Sequence, residues 1–146
     1  MYYAVIDGSC GPKNPCGTAS YGIIVFESDK IDLPFSEAIK CKKFYSEHGI
    51  VGTGDGMSNN VAEFEGLNHI FSKIYVYPDD MTIFSDSALV VNQMKGIWKI
   101  KNGLYKSYAL EAKKRLMEII NSGWKVNFIH ISGDENIAHE VASYSL

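Results

Sequence analysis

The chain has 146 residues, 46% hydrophobic and 21% charged, with a formal net charge of −3. That length suits one domain with its own core, spanning 1–146, and the composition is that of an ordinary globular protein. No apolar run approaches the roughly 18–20 residues of a membrane span, and no basic segment leads into an apolar one at the N-terminus. The acidic balance argues against a strongly basic nucleic-acid binder. Cys10, Cys16 and Cys41 are an odd number without metal-ligand spacing, so free thiols in a reducing, cytoplasmic setting are expected.

Tyr2 to Asp7 reads as a buried strand that runs into a carboxylate and the Gly8-Ser9 turn. An ionised Asp7 inside a central strand is costly without a cation or hydrogen bonds. At a frayed strand end the same residue simply caps the turn. Residues 8–17 read as a loop of turn formers and 19–27 as a second strand, a pairing that suits an antiparallel hairpin. After a connection at 28–36, residues 37–45 read as a third strand, completing an antiparallel meander. His48 to Met57 carries four glycines and reads as a flexible loop. It lacks the Gly-Lys-Ser/Thr ending of a phosphate-binding loop.

Ser58 opens a helix, with Ser58 or Asn59 as its cap. Ala62, Leu67, Ile70, Phe71 and Ile74 share its apolar face, and Glu63 falls beside that stripe. Tyr77-Pro78-Asp79-Asp80 ends it. Met81 to Ser87 repeats the opening theme: an apolar strand, then Asp86, then a helix from about Ala88 to Lys95 with Gly96 as its stop. Asp86 alone reads well as the N-cap of that helix.

Trp98 to Gly103 is a basic-aromatic connection to a helix over 104–121, with Leu104, Tyr108, Ala112, Leu116, Ile119 and Ile120 facing inward. Seven of the fourteen basic residues fall between 95 and 115. They read equally as a solvated helix face or as a phosphate-contact patch, with Lys99 and Lys101 beside Trp98 the better candidates for contact. Residues 124–131 form the last strand, in which His130 reads as a structural histidine. A short helix over 137–146 follows, with His139 in its first turn.

Asp7 and Asp86 therefore end two strands, and Glu63 rides the helix between them. Parallel neighbours would bring these carboxylates to one sheet edge. Packed together they would repel one another and hold protons unless a divalent cation is present. Oxygen-only ligands select Mg²⁺ or Mn²⁺ over zinc. Two such ions about 3.5–4 Å apart suit phosphodiester hydrolysis.

The motifs Asp7-Gly8-Ser9 with Asn14-Pro15, Ser58-Asn59-Asn60-Val61-Ala62-Glu63, Asp86-Ser87, and Asn136-Ile137-Ala138-His139-Glu140-Val141-Ala142 stand in this order along essentially the whole chain. Together they resemble the type 1 ribonuclease H family. The resemblance implies an α/β three-layer fold: a five-stranded mixed sheet, three antiparallel strands then two parallel, with helices on both faces. It implies metal-dependent endonucleolytic cleavage of the RNA strand of RNA/DNA hybrids, leaving 3′-hydroxyl and 5′-phosphate ends. Asp7, Glu63 and Asp86 would hold two Mg²⁺ ions, with Mn²⁺ as a substitute, and His139 stands where most members carry a fourth carboxylate. Gly8, Ser9, Asn14, Ser58, Asn59, Asn60 and Ser87 match positions near the substrate, and Trp98, Lys99 and Lys101 are added as backbone contacts. Two departures are visible: 133–136 leaves no room for the mobile histidine loop of many members, and 96–104 joins two helices without a basic handle. Both imply weak substrate binding. The expected partner is an RNA/DNA hybrid, with the protein a monomer needing no other protein. The competing reading is a module that holds hybrid or double-stranded RNA without cutting it.

Overall fold

The structure, a computed structural model, describes residues 1–138. Its sheet has the strand order β3-β2-β1-β4-β5. Strands β1 (Tyr2–Gly11), β2 (Thr18–Glu27) and β3 (Lys42–Thr53) are antiparallel neighbours. Strands β4 (Met81–Ser85) and β5 (Val126–His130) add in parallel beside β1. This is the expected mixed sheet of three antiparallel strands followed by two parallel ones. The parallel pairs need crossovers, which the helices supply: α2 (Asn59–Val76) enters β4, and α3 (Ala88–Met94) with α4 (Lys106–Asn121) enters β5.

Both faces of the sheet are covered. Tyr2, Ala4 and Ile6 of β1, with Ile23 and Ile83, pack under Phe64, Leu67, Phe71, Ala112 and Leu116 of α2 and α4. The alternate residues Tyr3 and Val5, with Ile24, Phe26 and Phe84, pack under Ala38 and Phe35 of the helical turn α1 (Phe35–Ala38) and under Ile131 and Ala138. Burial on two faces is why β1, β2 and β4 read as near-continuous apolar runs rather than as alternating ones.

Four expected boundaries move. β1 does not stop at Asp7: its pairing with β2 continues to Gly11 opposite Thr18, so only the tip of the 8–17 segment is a turn. Residues 35–38 are helical, and the third strand starts at Lys42 and runs to Thr53, through half of the expected glycine loop. β3 is an edge strand, and its glycines serve close packing: a Cβ on Gly49 would stand 2.8 Å from Oη of Tyr21. The turn proper is made by Gly54 and Gly56, both at positive φ. Finally, α4 begins at Lys106, so Leu104 lies outside it and is exposed; Ile120 is also exposed, and Ala109 takes an inner position. The expected helix over 137–146 lies outside the described residues beyond Ala138. Among the described residues, no helix is long and apolar enough to cross a membrane.

Candidate active site

The register of the central strands sets the site. Ile6 pairs with Ser85, and Ser85 pairs with His130. Asp7, still within β1, and Asp86, just past the end of β4, follow that rung on adjacent parallel strands, so the two carboxylates stand at the same end of the pair. Glu63 comes from the second turn of α2, which reaches β1 because residue 8 is a glycine. A Cβ there would stand 2.5 Å from the backbone nitrogen of Glu63 and 2.8 Å from the carbonyl carbon of Ala62. Ser58 caps α2, accepting from the Val61 N–H at 3.1 Å, and Asn14 accepts from the Asn59 N–H at 3.1 Å, which ties the β1–β2 turn to the same helix start.

Carboxylate oxygens of Asp7, Glu63 and Asp86 lie within 4.8 Å of one another. Asp7 is 4% exposed and Glu63 5% exposed, whereas Asp86 is half-buried. Burial holds the Glu63 carboxyl well above its usual range, the negative charges of Asp7 and Asp86 push it further, and a hydrogen bond to Asp7 adds to this. A backbone N–H bond from Gly8 pulls the other way without prevailing. Oε2 of Glu63 is buried without a hydrogen-bond partner. An oxygen-only donor set with an orphaned buried oxygen fits a hard divalent cation, which would take the place of the shared protons.

Asp86 is not the cap of α3. Ser87 is, its Oγ accepting from the Val90 N–H at 3.2 Å, and Oγ of Ser85 accepts from the Ser87 N–H at 3.1 Å. The two serines meet the needs of the helix start, and the intervening carboxylate stands in the cluster. His139 lies outside the described residues.

Of the expected substrate contacts, Asn14, Ser58, Asn59 and Asn60 come together, with Pro15, Leu104 and Tyr105, around an open cavity of about 300 Å³. Leu104 and Tyr105 were not legible as site residues. Tyr105 is set by stacking on Phe64, with ring centroids 5.6 Å apart, and by the amide of Gln93, which donates to its hydroxyl at 3.1 Å. Ser9 pairs with Ser20, Oγ to Oγ, at 3.1 Å. The basic cluster divides. Lys113 donates to the Met94 carbonyl, and Arg115 to Glu111, Ser72 and the Asn68 carbonyl, so both hold α4 in place. Trp98, Lys99 and Lys101 remain exposed on the α3–α4 connection, which Gln93 braces through the Lys99 carbonyl at 3.1 Å. A cavity of about 530 Å³ lies around β5 and touches none of the three carboxylates.

Two residues near the carboxylates were missed as site residues. His130 is exposed, and its Nε2 lies 3.1 Å from the carbonyl oxygen of Asp86. Asn136 is buried and donates through Nδ2 to the Ile6 carbonyl at 2.9 Å. The strand pattern at His130 carries no signal for a contact across the sheet edge. Asn136 stands in a recognised motif, but nothing in its spacing points to β1.

No protein-family model matches the chain. Solved structures do. LC11-RNase H1, isolated from compost and solved with an RNA/DNA hybrid, is 21% identical with a TM-score of 0.78, over 99% of this chain and 96% of that one. RNase H1 of the halophilic archaeon Halobacterium salinarum is 19% identical with a TM-score of 0.73, over 97% and 92%. The N-terminal RNase H domain of a Mycobacterium tuberculosis protein is 23% identical with a TM-score of 0.73, over 99% and 93%. The strand order, the crossover helices and these superpositions agree: the chain has the fold of the type 1 ribonucleases H.

Proposed function

We propose that this protein is a metal-dependent endonuclease that hydrolyses the RNA strand of RNA/DNA hybrids, leaving 3′-hydroxyl and 5′-phosphate ends. The observation that carries the proposal is the cluster of three carboxylates within 4.8 Å, two of them almost fully buried, at the edge of a ribonuclease H sheet. A structural role explains it poorly, because clustered buried carboxylates destabilise a fold. A binding module for polyanions gains nothing from negative charge at its centre.

In this reading Asp7 and Asp86 hold two Mg²⁺ or Mn²⁺ ions, and Glu63 holds one of them and orients the 2′-hydroxyl or the water. His139 completes the set. When bound, the ions supply an activated water and neutralise charge on the leaving oxygen. The chain's own residues do the rest. Gly8, Ser9, Asn14, Ser58, Asn59, Asn60 and Ser87 contact the hybrid, their backbone and side-chain amides and hydroxyls reading 2′-hydroxyls. Trp98, Lys99 and Lys101, exposed on the α3–α4 connection, meet backbone phosphates. The three free cysteines fit a reducing compartment such as the cytoplasm.

The test is cleavage of an end-labelled RNA/DNA hybrid with Mg²⁺, with Mn²⁺ and with chelator, beside Asp86→Asn and single-stranded RNA and DNA duplex controls. Metal-dependent cutting confined to the RNA strand of the hybrid, lost in Asp86→Asn, is expected. A hybrid that binds but stays whole under every metal would move the assignment to a non-cleaving binding module.

A further inference from the structure

The chain leaves β5 at the rung that pairs Ser85 with His130, and its next residues fold back over the carboxylate edge. Three tethers hold them there. The Ile131 N–H donates to the Ser85 carbonyl at 2.9 Å, extending the β4–β5 pairing by one bond. His130 meets the Asp86 carbonyl at 3.1 Å. A carbonyl only accepts, so Nε2 carries the proton in this contact. Asn136 donates from Nδ2 to the Ile6 carbonyl at 2.9 Å, while its Oδ1 accepts the Ala138 N–H at 2.9 Å. These two partners fix the orientation of the amide, because one can only accept and the other only donate. Between the two side chains, Gly133 passes so close to the site that a Cβ on it would stand 3.5 Å from Oδ2 of Asp86.

One side chain thus grips the backbone of Asp86 itself, and another grips the backbone immediately before Asp7. The β1–β4 pairing ends at Ile6 and Ser85, so these contacts add to what the sheet supplies, which at Asp7 is its pairing with Gly22 of β2. Beyond that rung the separation of the two carboxylates depends on what holds their backbones.

We propose that His130 and Asn136 are positioning residues, which fix the Asp7 and Asp86 backbones at the spacing that lets the carboxylates share divalent cations. The inference rests on the metal-dependent reading of the site. Outer groups that orient ligating residues typically change metal affinity or activity by about 10–100-fold when removed.

The experiment is calorimetric titration of Mn²⁺ into the protein without substrate, with hybrid cleavage measured alongside. His130→Ala, His130→Gln, Asn136→Ala and Asn136→Asp are compared with the wild type. His130→Ala is expected to weaken Mn²⁺ binding about tenfold or more. The glutamine amide reaches about as far as Nε2, so His130→Gln is expected to restore most of the loss. Asn136→Ala and Asn136→Asp both lose the donor to Ile6 and are expected to weaken binding by a similar factor. His130 is exposed, so His130→Ala remains a fair test if the buried Asn136 variants fail to fold. Wild-type Mn²⁺ affinity in His130→Ala and in a folded Asn136 variant would overturn the inference and leave the nuclease reading intact. A wild type that takes up no Mn²⁺ and cuts no hybrid would overturn both.

Discussion

Carboxylate oxygens of Glu63 and Asp7 stand in one cluster within 4.8 Å, although the two residues come from different elements and both are almost fully buried. Two ionised carboxylates this close and this buried would repel. Burial, then the charges of Asp7 and Asp86, hold the Glu63 carboxyl well above the usual carboxylate range.

The sign of the pH dependence follows. The folded pKa of Glu63 is raised above the reference value of 4.5, so its contribution to stability is fully present below that value and is lost as pH rises through the folded pKa. In chelator, the thermal midpoint of the wild type is expected to fall relative to Glu63→Gln as pH increases above 4.5. Millimolar Mg²⁺ or Mn²⁺ is expected to raise the wild-type midpoint, since the ions bind only the folded state. Glu63→Gln should cut hybrid about 100-fold more slowly or worse, in line with losing one preorganised group at a charged transition state. Melting curves with chelator and with metal, beside cleavage rates, check both halves.

Glu47 gives the opposite sign on β3, where it pairs with Ile23. Burial raises its pKa, but hydrogen bonds from the hydroxyls of Tyr21 and Tyr45, with the charges of His69 and Lys73, outweigh burial and hold it below the usual value. The Tyr21 hydroxyl donates at 2.6 Å, and His69 stands 2.9 Å away through Nδ1. This cluster ties edge strand β3 to α2. Its stabilising contribution is present above the unfolded pKa and is lost as pH falls through the folded one. Glu47→Gln is therefore expected to lower the thermal midpoint at neutral pH and to match the wild type in acid, with hybrid cleavage at neutral pH unchanged. Melting curves across the acid range decide it.

Gly8 is where the first strand and the second helix come into contact. Gly8→Ala drives a methyl group against backbone, which cannot rotate away. Overpacking of this kind costs about 1–3 kcal/mol. Urea denaturation should show a loss of that order. Cleavage is expected to fall as well, because the methyl group displaces the Glu63 backbone first.

His139 carries the proposed fourth position. His139→Ala is expected to slow cleavage about tenfold or more, within the range of lost acid–base or ligand groups. Glu140→Gln is the paired control and is expected to stay near wild type. Loss of cleavage in Glu140→Gln with His139→Ala unaffected would shift the fourth position by one residue.

Much of the architecture was legible because burial leaves a pattern. The apolar runs at 2–7, 19–27 and 81–85 marked the central strands, and the spacing of Leu67, Ile70, Phe71 and Ile74 marked α2. β3 was misplaced for a physical reason. An edge strand with one open face has little apolar periodicity, and glycines that admit Tyr21 look like glycines of a loop. Asp86 and Ser87 are both good caps one residue apart, and no local rule chooses between them. The folded chain chose Ser87 because Asp86 leaves the sheet beside Asp7.

The sequence by itself determined that Asp7 and Asp86 follow apolar runs and that Glu63 falls beside a buried helical stripe, since side-chain period and hydrophobicity are local properties. Only the tertiary structure decided that these carboxylates meet within 4.8 Å. That depends on the Ile6–Ser85 register, on the approach of α2 across Gly8, and on the return of the chain through His130 and Asn136. These contacts join residues tens of positions apart, and pairing at such distances is set by the packing of the whole core rather than by any window of the chain.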